Sequence, residues 1–478
     1  MALQKSEVLY SAMVKPQSFL AEIAFLMLTI PPLVAQSSAN SNPLPSSAPD
    51  PAISAALRDV SAKRIEQTIE KLVTFYTRQT LSSDMPVSSG KGATAAADWI
   101  KSEFERYSKD CGGCLEVKTD EFTQETGPRV PTPTKITNVY AILRGSDPAN
   151  AGRMVLVTGH YDSRNSETND VTGQAPGAND DGSGTAVSME CARALSKHKF
   201  PATIIFLTVA GEEQGLYGSA HFAKRAKAQG WNIEAALNND IVGGDKTPGD
   251  TQQDAHLVRV FSEGIPANAD EKQIKMIRSL AGENDSASRE LARYIAATSQ
   301  EYLPPKTFHP LLVFRPDRFL RGGDQSSFNQ QGYAAVRFTE FRENYNHQHQ
   351  NVRTENGIEY GDLPKFVNYD YVANVARVNA ATLASLAAAP APPANVRILT
   401  KELQNDSTLV WDSSPGGLAK GYEVLWRDTA AAEWQHAKAA GDVTKVTMPM
   451  SKDNVIFAVR AVDGKGHRSL AVVPVPER

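Results

Sequence analysis

Four short segments of the sequence combine histidine or carboxylate side chains in surroundings typical of strand or helix ends. They centre on His160, Asp180, the pair Glu212 and Glu213, and Asp240. Zinc takes imidazole nitrogen and carboxylate oxygen as ligands, and two ions that share a carboxylate can act together on one substrate. Each acidic residue alone would be an ordinary surface group or helix cap. The ordered set predicts a metal centre.

Asp162 lies two residues after His160. A carboxylate at this spacing can accept a hydrogen bond from the imidazole and so fix the tautomer that binds a metal. We therefore count Asp162 among the catalytic residues, as a supporting group behind the first ligand.

These candidate residues lie in a region of the sequence where strand and helix patterns alternate regularly. Alternation of this kind predicts a mostly parallel sheet flanked by helices, an α/β fold. His160, Glu213 and Asp240 then lie at or just after the carboxyl ends of strands, and Asp180 lies where a glycine-rich loop runs into a helix, the positions at which open α/β sheets bind ligands. The expected strands are 136–143, 154–158, 203–209, 235–242 and 333–338, and the expected helices are 53–80, 94–107, 186–195, 218–229 and 366–386.

Between the strands expected at 235–242 and 333–338, residues 243–318 are polar and irregular apart from a helical stretch at 287–301. We interpret this segment as an insertion that shapes the rim of the site. The catalytic domain is expected to span 53–387, with an Ala/Pro linker at 388–394.

Residues 395–478 carry short alternating strands separated by turn residues, which predicts a small all-β sandwich. In strand order and length this region resembles a fibronectin type III domain. The resemblance implies a module that contacts protein or polysaccharide.

Five motifs taken together resemble the di-zinc aminopeptidase family that includes bacterial leucyl aminopeptidase, with relatives among glutamate carboxypeptidases. The similarity spans about residues 55–387, and it implies that His160 and Asp240 hold one zinc ion, that Glu213 and His347 hold the other, and that Asp180 bridges them. It also implies a cis peptide bond between Asp180 and Asp181. The motifs are His160-Tyr-Asp-Ser163, Gly177-Ala-Asn-Asp-Asp-Gly-Ser-Gly184, Gly211-Glu-Glu-Gln-Gly-Leu-Tyr-Gly-Ser219, Asn239-Asp240 and Tyr345-Asn-His347.

The sequence departs from the family pattern at the fifth ligand, where two histidines, His347 and His349, are available. Placing Asn351 on the aspartate that ends the family motif favours His347 over His349. A second departure is Gln325, which stands after Asp324 where relatives commonly have histidine.

The family mechanism implies that Glu212 takes a proton from a water molecule activated by the two zinc ions and passes it to the leaving amine. The expected substrate is a peptide with a free N-terminus. Three alternatives stay open: an exopeptidase of the glutamate carboxypeptidase kind, a glutaminyl cyclase with one zinc, and a non-catalytic receptor-like homologue.

The 478 residues carry a net charge of -4, which does not suggest a nucleic-acid-binding surface. The apolar run 18–35 predicts a signal peptide over 1–35, followed by a flexible leader at 36–52, and hence a secreted or periplasmic protein without stable membrane insertion. The alternative is a membrane anchor that is kept, which two prolines and Glu22 within the run disfavour because they shorten the apolar span. Oxidising compartments favour disulfides, so we expect one between Cys111 and Cys114.

Overall fold

The computed structural model describes residue 44 and residues 48–304 and 307–478. The expected signal peptide and most of the expected leader lie outside these residues. The described residues belong to one compact unit, Asn42–Arg478. Within the described ranges no helix has both the length and the apolar character needed to cross a membrane.

An eight-stranded sheet forms the centre of the catalytic region, in the spatial order β1-β2-β4-β3-β5-β8-β6-β7. Strands β4, β3, β5 and β8 are parallel neighbours, whereas β1, β2 and β6 join the sheet through antiparallel pairs. The predicted α/β fold is therefore confirmed. The strands are β1 Leu115–Gln124, β2 Thr134–Leu143, β3 Arg153–His160, β4 Thr203–Val209, β5 Asn232–Asn239, β6 Leu257–Ser262, β7 His309–Val313 and β8 Ala335–Glu340.

Helices cover both faces of this sheet. Every residue of β4 is buried, as expected for a central strand that is covered on both sides. Along β3, Val155 and Val157 face one hydrophobic core and Leu156 faces the other. The helices are α1 Pro51–Asp59, α2 Ala62–Val73, α3 Gly92–Asp110, α4 Gly182–Leu195, α5 Glu212–Gly215, α6 Tyr217–Ala228, α7 Glu271–Ser279, α8 Ala287–Tyr302, α9 Gln325–Gln330 and α10 Tyr369–Ala388.

The interpretation of 243–318 as an irregular rim insertion is wrong in part. This segment supplies α7 and α8 and also β6 and β7, which extend the main sheet at one edge. The pattern of β7 is weak because Pro310 interrupts it and its side chains are only partly buried. Likewise, the single helix expected at 53–80 is two helices, since Ser61 caps the start of α2.

The C-terminal region forms two further sheets of four and three strands, in the orders β15-β12-β11-β17 and β14-β13-β16. Their facing sides share one core that includes Leu409, Trp411 and Phe457, so the region is a sandwich as predicted. A short hairpin, β9 Arg353–Glu355 with β10 Ile358–Tyr360, precedes it. The sandwich strands are β11 Ala394–Leu399, β12 Ser407–Asp412, β13 Gly421–Asp428, β14 His436–Gly441, β15 Lys445–Met448, β16 Val455–Val462 and β17 Val475–Glu477.

Cys111 and Cys114, which follow α3, are joined in a disulfide. Cys191 is a buried free thiol on α4.

Candidate metal centre

The candidate ligands meet at the carboxyl edge of the parallel strands. His160 is the last residue of β3, and Asp240 directly follows β5. Glu212 and Glu213 form the first turn of α5, immediately after β4. Asp180 stands two residues before α4. The topology therefore gathers side chains from four separate segments, as the sequence predicts.

Two glycines allow α4 to approach this edge closely. A Cβ atom on Gly159 would lie 2.3 Å from the carbonyl carbon of Gly184, and one on Gly184 would lie 2.1 Å from the main-chain oxygen of Asn239. Both contacts are far shorter than van der Waals distance. Glycine at these positions lets the Asp180 loop reach the strand ends.

His160, Glu212 and Asp240 form a first group whose potential ligand atoms all lie within 4.8 Å of one another. His160 is 1% exposed, and among the described residues its Nε2 atom has no hydrogen-bond partner. This atom is 3.2 Å from Asp180 Oδ1 and 3.7 Å from Asp240 Oδ1. A buried nitrogen without a hydrogen bond, surrounded by carboxylate oxygens, fits a zinc ligand.

A second group consists of Asp180, Glu213 and His349. The Nε2 atom of His349 lies 2.9 Å from Asp180 Oδ2 and 3.0 Å from Glu213 Oε1. Asp180 thus directs Oδ1 towards His160 and Oδ2 towards His349, so one carboxylate lies between the two groups.

His347 is not part of either group, which contradicts the preference given to it from the sequence. Its ring stacks on Phe366 with centroids 3.7 Å apart, and its Nδ1 pairs with Asp245. The preference for His347 came from aligning Asn351 with the aspartate that ends the family motif. Such an alignment does not show the direction in which the chain turns at this segment. His349 has a φ of 54°, and its side chain reaches Asp180 and Glu213 instead.

Asp180 is fixed in place through its backbone. The peptide bond between Asp180 and Asp181 is cis. The amides of Asn179 and Asp180 donate to the two carboxylate oxygens of Asp362, at 2.8 and 2.7 Å. Gln348 Nε2 also donates to Asp180 Oδ2 at 3.1 Å.

Asp162 is fully buried behind His160. The Nδ1 atom of His160 lies 3.1 Å from the main-chain oxygen of Asp162 and 3.4 Å from its Oδ1. The other carboxylate oxygen accepts hydrogen bonds from Thr80 Oγ1 at 2.8 Å and from the amide of Glu213 at 3.2 Å. Asp162 therefore orients a residue of each group and is a positioning residue.

Arg337 on β8 is a fully buried cation beside the first group. Its Nη2 atom lies 2.8 Å from Asp240 Oδ1, and its Nη1 lies 3.3 Å from Asp317 Oδ2. Burial alone would raise the pKa of Asp240, but this guanidinium holds it below its usual value. Gln325 donates to the same Asp317 oxygen at 2.7 Å and accepts from Asn238 at 3.2 Å. The glutamine thus makes supporting contacts of its own.

Glu212 is half-buried and belongs to no salt bridge among the described residues. Burial, together with the neighbouring carboxylates of Asp240, Glu213 and Asp324, raises the pKa of Glu212 well above its usual value. Burial also raises the pKa of Asp324 to about 7. A carboxylate whose proton affinity is raised in this way is suited to accept a proton near neutral pH.

Comparison with known proteins identifies the family. The sequence profile of peptidase family M28 matches residues 138–366, the segment that carries every candidate ligand. A "probable zinc metalloprotease" of Pyrenophora teres f. teres is 46% identical over 431 residues, covering 90% of this chain and 88% of that protein. The chain belongs to peptidase family M28. Another "probable zinc metalloprotease", from Leptosphaeria maculans, is 45% identical to the peptidase over 430 residues. The match covers 90% of the peptidase and 98% of the Leptosphaeria protein.

The fold of the peptidase is also that of a solved structure, the LapA aminopeptidase of Legionella pneumophila. The two agree with a TM-score of 0.50 at 21% identity, over 70% of this chain and 74% of that chain. At this level of identity the likeness concerns the fold alone.

Three residues of the site were missed from the sequence: Arg337, Asp362 and Arg164. The two arginines are not of a residue type that binds zinc, and Asp362 lies outside the five motifs. Asp362 contacts the Asp180 loop although it is 182 positions away in the chain. Arg164 directly follows the first motif, but only the structure places its guanidinium 3.1 Å from His349 Nδ1.

Proposed function

We propose that this M28 peptidase is an aminopeptidase that binds two zinc ions. The position of Asp180 carries the proposal, because its two oxygens face histidines of different groups, as a bridging carboxylate would. His160 and Asp240 would hold one ion, Glu213 and His349 the other, and Asp180 both. This donor set is suited to zinc, the metal in the names of the relatives from Pyrenophora teres f. teres and Leptosphaeria maculans.

When bound, zinc supplies a water of lowered pKa and polarises the scissile carbonyl. The residues of the chain do the rest. Glu212 accepts the proton of the attacking water on its carboxylate and then donates it to the departing amine. Its raised pKa supports both steps. Asp162 keeps the proton of His160 on Nδ1 and leaves Nε2 free.

An aminopeptidase is favoured over a carboxypeptidase by the charges at the centre. A carboxypeptidase requires a free cation near the metal centre to pair with the terminal carboxylate of its substrate. The cations near the ligands already have partners: Arg337 pairs with Asp240 and Asp317, and Arg164 contacts Thr168, His349 and Glu213.

The test combines metal analysis with a peptide-library digest. The purified protein should contain close to two zinc ions per chain and should hydrolyse aminoacyl-p-nitroanilides until a chelator is added. The digest should shorten peptides from the N-terminus. Trimming from the C-terminus would instead establish a carboxypeptidase, and one zinc with cyclisation of N-terminal glutamine would establish a cyclase.

We also propose that the peptidase is exported and that its fibronectin-like module contacts protein or polysaccharide. The basic residues and apolar run before Ala35 support export. N-terminal sequencing of the mature protein should then begin after residue 35.

A further inference from the structure

A cavity of about 360 Å³ lies at the edge of the main sheet opposite the candidate metal centre. β8 runs parallel to β5, whose carboxyl end leads into Asp240. β6 is antiparallel to β8 and pairs Ser262 with Val336, so the residues that follow β6 lie at the amino end of β8. The cavity is formed there by those residues, α7, α8, the turn before β8 and Val475 of β17. It is therefore separate from the metal centre.

The walls of this cavity are mainly apolar. Helix α7 has no fully buried residue, and its Met276 is 48% exposed. None of the wall residues in the described part of the chain is a lysine or an arginine. Apolar walls with a few polar groups, around a volume of roughly 300–1,000 Å³, are typical of small-molecule sites. The apolar part of the wall includes Met276, Ile277, Tyr333, Ala334 and Val475.

Glu263 is the one charged residue in the wall, and it is 7% exposed. Its Oε2 accepts a hydrogen bond from the amide of Ala267 at 2.9 Å. Its Oε1 has no hydrogen-bond partner among the described residues, and within the same residues no cation forms a salt bridge with this carboxylate. A buried carboxylate is normally paired with a cation, since burial without one is costly. Glu263 therefore leaves one oxygen available to a ligand in the cavity.

The second buried polar side chain of the wall, Ser288, is already engaged. Its Oγ accepts from Asn329 Nδ2 at 3.1 Å and from the amide of Ala335 at 3.2 Å, which uses both lone pairs of the hydroxyl. The strongest free acceptor in the cavity is thus the carboxylate of Glu263. A cationic group complements it, whereas the wall offers no cation for an anionic ligand.

We propose that this cavity binds a small primary amine with an apolar chain. The ammonium group pairs with Oε1 of Glu263, and the chain lies against α7 and Val475. Because Val475 belongs to the sandwich and the rest of the wall belongs to the catalytic region, the bound amine contacts both regions. The site requires no metal ion and does not depend on the proposed peptidase activity.

Isothermal titration calorimetry of the purified protein with n-hexylamine tests the site. At about pH 8 alkylamines are protonated, since their pKa is close to that of lysine, about 10, and Glu263, with a pKa raised by burial to about 7, is ionised. The wild type should bind hexylamine with a Kd below about 1 mM, which is within reach of a ligand of this size. n-Butylamine should bind about tenfold more weakly, because each buried methylene contributes about fourfold. Hexanol and hexanoate should each bind more weakly than hexylamine by about tenfold or more, because neither forms the charge-assisted hydrogen bond.

Two variants locate the bound amine. Glu263→Gln keeps the acceptor for the amide of Ala267 but removes the charge, so hexylamine should bind about tenfold or more weakly. Ala269→Trp places a large ring in the wall and should abolish binding. The matched control is Glu301→Gln, which removes another half-buried carboxylate with a raised pKa from α8, outside this cavity. Its hexylamine affinity should equal that of the wild type, and melting curves verify that each variant is folded.

The inference is overturned if hexylamine does not bind to the wild type, or if hexanol binds as tightly as hexylamine. Equal hexylamine affinity in the wild type, Glu263→Gln and Ala269→Trp would also overturn it, because the amine would then lie elsewhere, for example at the metal centre. Peptidase activity is measured separately without amine, and Glu263→Gln should keep the wild-type rate. Absence of peptide hydrolysis would refute the proposed function and leave the amine site standing.

Discussion

At the scale of single residues, the candidate metal centre contains two kinds of residue: candidate ligands, and residues that orient those ligands. Asp180 has one oxygen for each group, whereas Asp162 and Asp362 contact the ligands from behind. Glu212 differs from both classes. It is half-buried and has a raised pKa, as a base that exchanges protons with water requires.

Replacing Glu212 with glutamine removes the proton acceptor and keeps the shape of the side chain. We expect kcat to fall by roughly 10²- to 10⁴-fold, the usual contribution of a general base. Steady-state kinetics measures the change, and zinc analysis is the control, since the content should remain that of the wild type. Unchanged kcat would remove Glu212 from the mechanism.

His349 and His347 provide a second pair of variants. His349→Ala removes the nitrogen that faces Asp180 and Glu213, so the protein should lose one zinc ion and most of its activity. His347→Ala removes a ring that stacks on Phe366 and pairs with Asp245. It should retain both ions. Loss of zinc in His347→Ala alone would restore the ligand that the sequence favoured.

At the scale of elements, the sequence predicted the parts of the fold whose patterns are local. The strand that ends at His160 and the strand that Asp240 directly follows are apolar runs, and glycine marks the loop before α4. These elements and the candidate ligands on them were therefore predictable. β7 and the turn that carries His349 were not, because partial burial weakens the pattern of β7 and long-range packing sets the direction of the turn. Arg337 was missed because a charged residue in a central strand contradicts the pattern, and only pairing with Asp240 and Asp317 explains its burial.

The carboxyl end of β6 offers a test of stability against pH. Glu263 is 7% exposed and accepts a hydrogen bond from the amide of Ala267 at 2.9 Å. Burial raises its pKa from 4.5 to about 7. The folded state therefore binds the proton more tightly than the unfolded state, and this group costs stability as pH rises from about 4.5 through 7.

Glu263→Gln should remove that cost, because the amide oxygen can still accept from Ala267 and no charge forms. Melting temperatures of variant and wild type should differ little at pH 4.5, and the variant should gain increasingly up to pH 8. A difference that is independent of pH would show that Glu263 ionises in the folded protein as it does in the unfolded chain.

At the scale of the whole molecule, the sandwich is attached to the catalytic region by buried polar contacts. Trp434 Nε1 donates to Glu290 Oε2 on α8 at 2.8 Å, and Arg293 Nη1 lies 2.5 Å from Glu290 Oε1. Arg293 Nε also donates to the main-chain oxygen of Ala432 at 2.6 Å. Arg427 of the sandwich is buried and pairs with Asp285. Buried charges of this kind depend on their partners, so the two regions should unfold together.

Trp434→Phe tests this attachment, because it removes the indole donor and leaves an oxygen of the buried Glu290 with one partner fewer. The unfolding free energy should fall by about 1–3 kcal/mol, the usual penalty for a buried polar group that loses its hydrogen bond. Trp411→Phe is the matched control, since Trp411 is buried in the same sandwich and its Nε1 has no hydrogen-bond partner among the described residues. In calorimetry the whole transition of Trp434→Phe should move to lower temperature as one peak. A separate early peak for the sandwich, with the catalytic transition unmoved, would show that the two regions are stable independently.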